Sequence, residues 1–214
     1  MLKIKKLRNT QMVNRYDPNI KPGILEVYCG PMKSGKTREL IHRVDNLHYI
    51  KGCNFVLIKP AVDTRNIKIQ SRFGSLSSEC VLVNEKQPEE IIAAVKPEHR
   101  VIAIDEAQFF TESVIQVIKH LLNQDKNVIV AGLDLDFRGE PFGQMHHLLA
   151  MADIVHKLTG ICDYEGCGAP ATRTQRLVAG KPASYYSPII LIGDVQEGYQ
   201  CRCLKHHEVP DKPQ

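Results

Sequence analysis

Apolar residues in this chain gather in short runs, and longer stretches between the runs carry an apolar stripe. The runs are Ile24-Leu25-Glu26-Val27-Tyr28-Cys29, Asn54-Phe55-Val56-Leu57-Ile58, Cys80-Val81-Leu82-Val83, Val101-Ile102-Ala103-Ile104 and Asn127-Val128-Ile129-Val130-Ala131. A run with no polar face, such as 101–104 or 127–131, is expected as a strand buried on both sides. The stretches between read as helices: Thr37 to about Tyr49, Pro88 to Val95, Thr111 to Asn123 and Phe142 to Met151. In the third, Val114, Ile115, Val117, Ile118, Leu121 and Leu122 recur at helical spacing. Pro88 suits a first turn, where its missing N–H costs nothing. Buried strands alternating with amphipathic helices predict an α/β fold, a mostly parallel sheet with helices on both faces.

The rhythm changes beyond about Val155, where short strand-like pieces, turns and cysteines replace long helices. A small second domain is expected at 158–207, held by a metal instead of a large core. The first domain then spans 23–157, and 208–214 form a tail. Residues 1–22 carry Lys3, Lys5, Lys6, Arg8, Arg15 and Lys21 against the single acid Asp17, with Pro18 and Pro22 breaking regular structure. They read as a flexible leader.

Composition narrows the class. At 43% hydrophobic, 214 residues can bury a real core. No apolar run is long enough to span a membrane, and the N-terminus lacks the apolar stretch of a secretory signal. A net charge of +4, from 28 basic and 24 acidic residues, is too mild to argue for nucleic acid or membrane binding. Seven cysteines, an odd number, argue against a disulfide framework and for a reducing, cytoplasmic setting.

The candidate chemistry starts at Gly30-Pro31-Met32-Lys33-Ser34-Gly35-Lys36-Thr37. This fits the phosphate-loop pattern in full, with a strand before it and a helix after it. The glycines let successive N–H groups face one phosphate, Lys36 adds a positive charge, and the Thr37 hydroxyl suits magnesium. The strand 101–104 ends in Asp105-Glu106-Ala107-Gln108. An acid at such a strand end helps hold magnesium in phosphate-loop proteins, so Asp105 takes the metal side and Glu106 the substrate side. Adjacent carboxylates on extended chain point apart, which allows two jobs. Two further stretches fall at the same sheet edge: Leu133 to Phe142, rich in aromatics, and Asp63-Thr64-Arg65, whose arginine could reach a transferred phosphate.

Cys162, Cys167, Cys201, Cys203, His206 and His207 offer more ligands than the four a structural zinc takes. The second pair is Cys203 with His206, or Cys201 with His206 or His207; spacing leaves these open.

With these motifs in place, the chain closely resembles the type II thymidine kinases, the cytosolic zinc-containing deoxynucleoside kinases. The likeness runs from about Gly23 to Val209. It is carried by 30–37, Asp-Glu-Ala-Gln-Phe-Phe at 105–110, Gly-Leu-Asp-Leu-Asp-Phe-Arg-Gly-Glu-Pro-Phe at 132–142, Ala-Thr-Arg-Thr-Gln-Arg at 171–176, and Tyr199 ahead of Cys203. The resemblance implies transfer of the γ-phosphate of ATP to the 5′-hydroxyl of thymidine, with magnesium. It implies Glu106 as base and Lys36, Thr37, Arg65, Asp105 and Gln108 on the ATP side. It implies Phe109, Leu133, Phe137, Phe142 and Tyr199 in the nucleoside pocket. It favours Cys162, Cys167, Cys203 and His206 as the zinc set, a homotetramer, and inhibition by thymidine triphosphate. Three features depart from the family pattern: four residues between the first cysteines, His at 206, and one extra residue between Gly193 and Tyr199. A rival class is a nucleic-acid-stimulated ATPase with a zinc ribbon, since Asp-Glu-Ala-Gln after an apolar strand also resembles a helicase motif. Such machines need two domains and a basic track.

Overall fold

The computed structural model describes residues 23–49, 53–62, 68–70, 77–190 and 197–213. The leader expected at 1–22, and Arg65, lie outside the described residues. In chain order the elements are β1 (Leu25–Cys29), α1 (Lys36–Asp45), β2 (Asn54–Pro60), β3 (Lys68–Gln70), β4 (Ser77–Glu79) and β5 (Val81–Val83). Then come α2 (Glu90–Ala94), β6 (His99–Ile104), α3 (Val114–Asn123), β7 (Asn127–Gly132), α4 (Met145–Met151) and β8 (Ile154–Lys157). The last part holds β9 (Gly160–Ile161), β10 (Pro170–Ala171), β11 (Arg173–Val178), β12 (Lys181–Pro182) and β13 (Glu197–Arg202).

Six strands form one sheet in the order β5-β2-β6-β7-β1-β8, and every pairing in it is parallel. The apolar runs serve two layers at once. Val27, Ile102, Ile104, Val128 and Val130 pack on one face with Ile91 of α2, Val114, Val117 and Ile118 of α3, and Met145 and Leu148 of α4. Tyr28, Leu57, Ala103, Ile129 and Ala131 pack on the other face with Leu40, Ile41 and Val44 of α1. Each fully buried Ile, Leu or Val contributes roughly 1.5–3 kcal/mol. Among the described residues no helix is long and apolar enough to cross a membrane.

The differences from the sequence reading include two helix starts and one strand. The helices expected from Thr111 and Phe142 begin at Val114 and Met145, because each opens as a tight turn. The Val114 N–H reaches the Thr111 carbonyl, and the Met145 N–H the Phe142 carbonyl. The sixth strand, β8, was not foreseen: Ile-Val-His-Lys is short, half polar and at a sheet edge, where one face meets solvent.

Beyond β8 the chain builds small antiparallel sheets, β10-β9 and β12-β11-β13. Residues 208–212 dock back onto the protein. Gln175 exchanges two hydrogen bonds with the Glu208 backbone, and Lys212 pairs with Glu140 at 2.8 Å.

Candidate active site

Parallel strands bring their carboxyl ends to one edge, and the candidate residues gather there. Residues 30–37 join β1 to α1. Gly35 stands at φ 88°, a left-handed conformation that glycine adopts freely. Lys33 also lies in that region, at φ 61°. Lys36 is buried, and its ammonium donates to the Pro31 carbonyl at 2.6 Å, across the mouth of the loop. Burial lowers its affinity for the proton, while Glu106, Asp105 and Asp134 oppose that shift.

Asp105 follows β6, which is separated from β1 by β7. It still reaches the loop: the Thr37 hydroxyl donates to Asp105 Oδ2 at 3.1 Å. Burial pushes the Asp105 carboxyl up to about 7, and the neighbouring Glu106 charge adds to it, against the Thr37 bond, a backbone bond and Lys36. A buried carboxylate short of positive charge, beside a hydroxyl oxygen, is a donor set suited to a hard divalent cation.

Glu106 diverges from Asp105 for a reason the extended-chain argument did not contain. Its backbone turns into the left-handed region, φ 52° and ψ 40°, costing about 1–2 kcal/mol for a residue with a side chain. Strain of this kind gathers at functional positions. The Gln108 amide then holds the carboxylate: Nε2 donates to Glu106 Oε2 at 2.6 Å, and Oε1 accepts the Leu133 N–H at 3.0 Å. Gln108 is 2% exposed, so its amide is fixed between these two groups. It crosses over Gly132, where an added Cβ would lie 2.8 Å from Gln108 Oε1; a side chain at 132 would displace the bridge.

The aromatics divide. Phe110 enters the core, while Phe109 meets Phe142 edge to face with ring centroids 5.6 Å apart. Phe137 is buried, with the Arg176 guanidinium 4.8 Å over its ring. Tyr199 pairs with Arg176 across β11 and β13, so both side chains lie on the face turned toward Phe137. Asp136 shapes the 132–142 loop. It is 2% exposed, accepts the Arg138 and Glu140 N–H groups at 2.8 and 3.1 Å, and pairs with the Arg138 guanidinium at 2.8 Å.

Cys162, Cys167, Cys203 and His206 converge, their ligand atoms all within 4.8 Å of one another. Three of the separations are 3.4 Å (Cys203 Sγ to His206 Nδ1), 3.8 Å (Cys162 Sγ to His206 Nδ1) and 4.0 Å (Cys167 Sγ to Cys203 Sγ). A tetrahedral zinc with Zn–S bonds near 2.3 Å needs donor separations of about 3.8 Å, so the cluster fits a structural zinc. Burial pushes the Cys162 thiol up, but hydrogen bonds from the Cys203 and Tyr164 backbone and with His206 and Cys167 outweigh it and bring it to about 6. All seven cysteines are free thiols. Cys201 and His207, the alternatives left by spacing, lie outside this cluster and have other partners. Cys201 Sγ donates to the Met32 carbonyl, and His207 Nε2 meets the Phe137 carbonyl at 2.9 Å.

Sequence reasoning did not single out Arg176, Thr174 or Asp163. The first two lie within the 171–176 motif that carries the resemblance, but no role was read from it; their polar side chains on β11 turn out to be buried.

A parallel sheet with a phosphate loop after its first strand, and an acidic strand end bonded to that loop, belongs to the phosphate-loop class of nucleotide-binding proteins. Within that class, the family model for thymidine kinase matches residues 23–207. A thymidine kinase of Coprothermobacter proteolyticus is 50% identical over 192 residues, covering 89% of this chain and 93% of that relative. The chain belongs to the thymidine kinase family. Neither match supports the helicase-type ATPase.

Proposed function

We propose that this protein transfers the γ-phosphate of ATP to the 5′-hydroxyl of thymidine. The observation that carries the reading is the Glu106 carboxylate, fixed by Gln108 at the same sheet edge as Lys36, Thr37 and the Phe109–Phe142 pair. Phosphoryl transfer asks a protein for positioning, charge neutralisation and one group to orient the attacking hydroxyl. Glu106 takes the 5′-hydroxyl proton as that oxygen bonds to the γ-phosphorus and the bridging bond to ADP breaks. The N–H groups of 30–37 and the Lys36 ammonium neutralise the phosphates, with Arg65 assigned to the transferred group. Thr37 and Asp105 would hold magnesium, which would supply charge neutralisation to the phosphates.

Phe109, Leu133, Phe137, Phe142 and Tyr199 form the nucleoside pocket in this reading. Deoxyuridine lacks one methyl group, worth about 1–3 kcal/mol in an apolar pocket, so it is a weaker alternative substrate. Zinc at Cys162, Cys167, Cys203 and His206 holds a small domain, 158–207, beside the kinase domain, 23–157. Homotetramer assembly, inhibition by thymidine triphosphate and a cytoplasmic location belong to the same proposal, on the family resemblance.

The test offers thymidine, deoxyuridine, deoxycytidine and deoxyadenosine separately, with ATP and magnesium, and identifies the monophosphates. Thymidine monophosphate as the main product is expected. No nucleotide product, with ATP turning over only when nucleic acid is added, would reject the reading.

A further inference from the structure

The crest of the phosphate loop is gripped from outside the kinase sheet. Met32 is held at both ends of its backbone: its N–H donates to Thr174 Oγ1 at 3.0 Å, and its carbonyl accepts the Cys201 thiol. Thr174 and Cys201 face each other across β11 and β13, so their side chains lie on one face of the small sheet. They are 2% and 1% exposed. One residue on, the Lys33 ammonium lies 2.9 Å from Asp163 Oδ2, and the same oxygen accepts the Cys201 N–H at 2.8 Å. The Asp163 N–H in turn donates to the Cys201 carbonyl at 2.8 Å. Asp163 directly follows the ligand Cys162, and one residue separates Cys201 from the ligand Cys203. The grip and the metal knuckle therefore share the same backbone.

The loop has reason to need a grip. Lys33 has a left-handed backbone, which a residue with a side chain adopts at a cost unless its surroundings impose it. The crest carries the amides that face a phosphate, so its shape sets the quality of the anion site.

We propose that Thr174, Cys201 and Asp163 are positioning residues for the nucleotide. The small domain clamps residues 32–33, and the metal knuckle sets the clamp. This rests on the reading of 30–37 as the ATP site.

Thr174→Val keeps the side-chain shape, removes the oxygen and strands the Met32 N–H. Thr174→Ser restores the oxygen. The affinity for MgADP is measured by calorimetry without thymidine, alongside zinc content and hydrogen exchange at the 33–36 amides. Thr174→Val is expected to bind MgADP about five- to 150-fold more weakly, the range for a stranded buried donor. Its 33–36 amides should exchange faster with zinc content unchanged, and Thr174→Ser should return both to near wild type. Removing zinc from the wild-type protein should speed exchange at the same amides. If Thr174→Val fails to fold or loses zinc, Cys201→Ala against Cys201→Ser makes the same comparison at the Met32 carbonyl. Wild-type affinity and exchange in the oxygen- or thiol-deleted variants would overturn the clamp while leaving the ATP site standing. Unchanged exchange after zinc removal would overturn the metal's part in it. A wild-type protein that binds no MgADP would overturn the phosphate-site reading and the clamp with it.

Discussion

Replacing Glu106 by glutamine removes a proton acceptor and little else. The side chain keeps its size, and the new amide oxygen can accept the bond that Gln108 Nε2 now gives to Glu106 Oε2 at 2.6 Å. The Gln108 bridge to the Leu133 N–H at 3.0 Å is untouched, so the backbone at 133 stays in place. The left-handed backbone at 106 costs a glutamine what it costs a glutamate. Nucleoside affinity and melting temperature should therefore stay close to wild type. What is lost is general-base help, typically worth about 10²–10⁴-fold, or about 3–5 kcal/mol at 1.36 kcal/mol per tenfold. The assay is kcat for thymidine monophosphate formation, with thymidine affinity measured separately by calorimetry. A kcat within about threefold of wild type would remove Glu106 from the role. A collapse of affinity together with melting temperature would make it a structural residue instead.

Metal analysis of the pure protein is expected to find zinc. His206→Ala should lower zinc content while His207→Ala should not; His207→Ala should instead loosen the 132–142 loop, because His207 bonds the Phe137 carbonyl. The reverse pattern would move the ligand by one residue. Acid should release the metal. Without metal the Cys162 thiol sits at about 6 against an ordinary 9.0, so the stability its thiolate lends is complete above pH 9.0 and is lost as pH falls through about 6; bound metal moves that loss to lower pH. Melting curves and zinc release followed from about pH 8 to about pH 5 check this, and a pH-independent curve would contradict it. Asp136→Ala strands the Arg138 and Glu140 N–H groups and the Arg138 guanidinium, at a cost of about 3 kcal/mol. A raised KM for thymidine should accompany the lower denaturation midpoint, and an unchanged KM would detach this loop from the nucleoside.

The fold was legible wherever burial left no polar face. Residues 101–104 and 127–131 read as fully buried strands because both sheet faces are covered, and they became the strands that feed both apolar layers. β8 escaped because a short edge strand with solvent on one side, Ile-Val-His-Lys, carries no such run. Helix starts drifted by three residues where side chains ride a turn before the helical bonds begin. At the site, the phosphate loop and the acidic pair were visible as local patterns. Their partners were not: the Gln108 bridge to Leu133, the Met32–Cys201 bond and the His207–Phe137 bond join residues far apart in sequence. For that reason spacing left Cys201 and His207 open as ligands, while in three dimensions both lie outside the Cys162–Cys167–Cys203–His206 cluster. Asp105 and Glu106 do meet different partners, Thr37 and Gln108, and the backbone between them carries a left-handed kink instead of a strand pleat.

The most direct test of the central claim follows the phosphate itself. The protein is given ATP labelled at the γ-phosphate, magnesium and thymidine, beside a Lys36→Ala variant. The account predicts the label on the 5′-oxygen of thymidine monophosphate for the wild type, and almost none for the variant. Label recovered from the wild type only as inorganic phosphate, with thymidine unchanged, would contradict it.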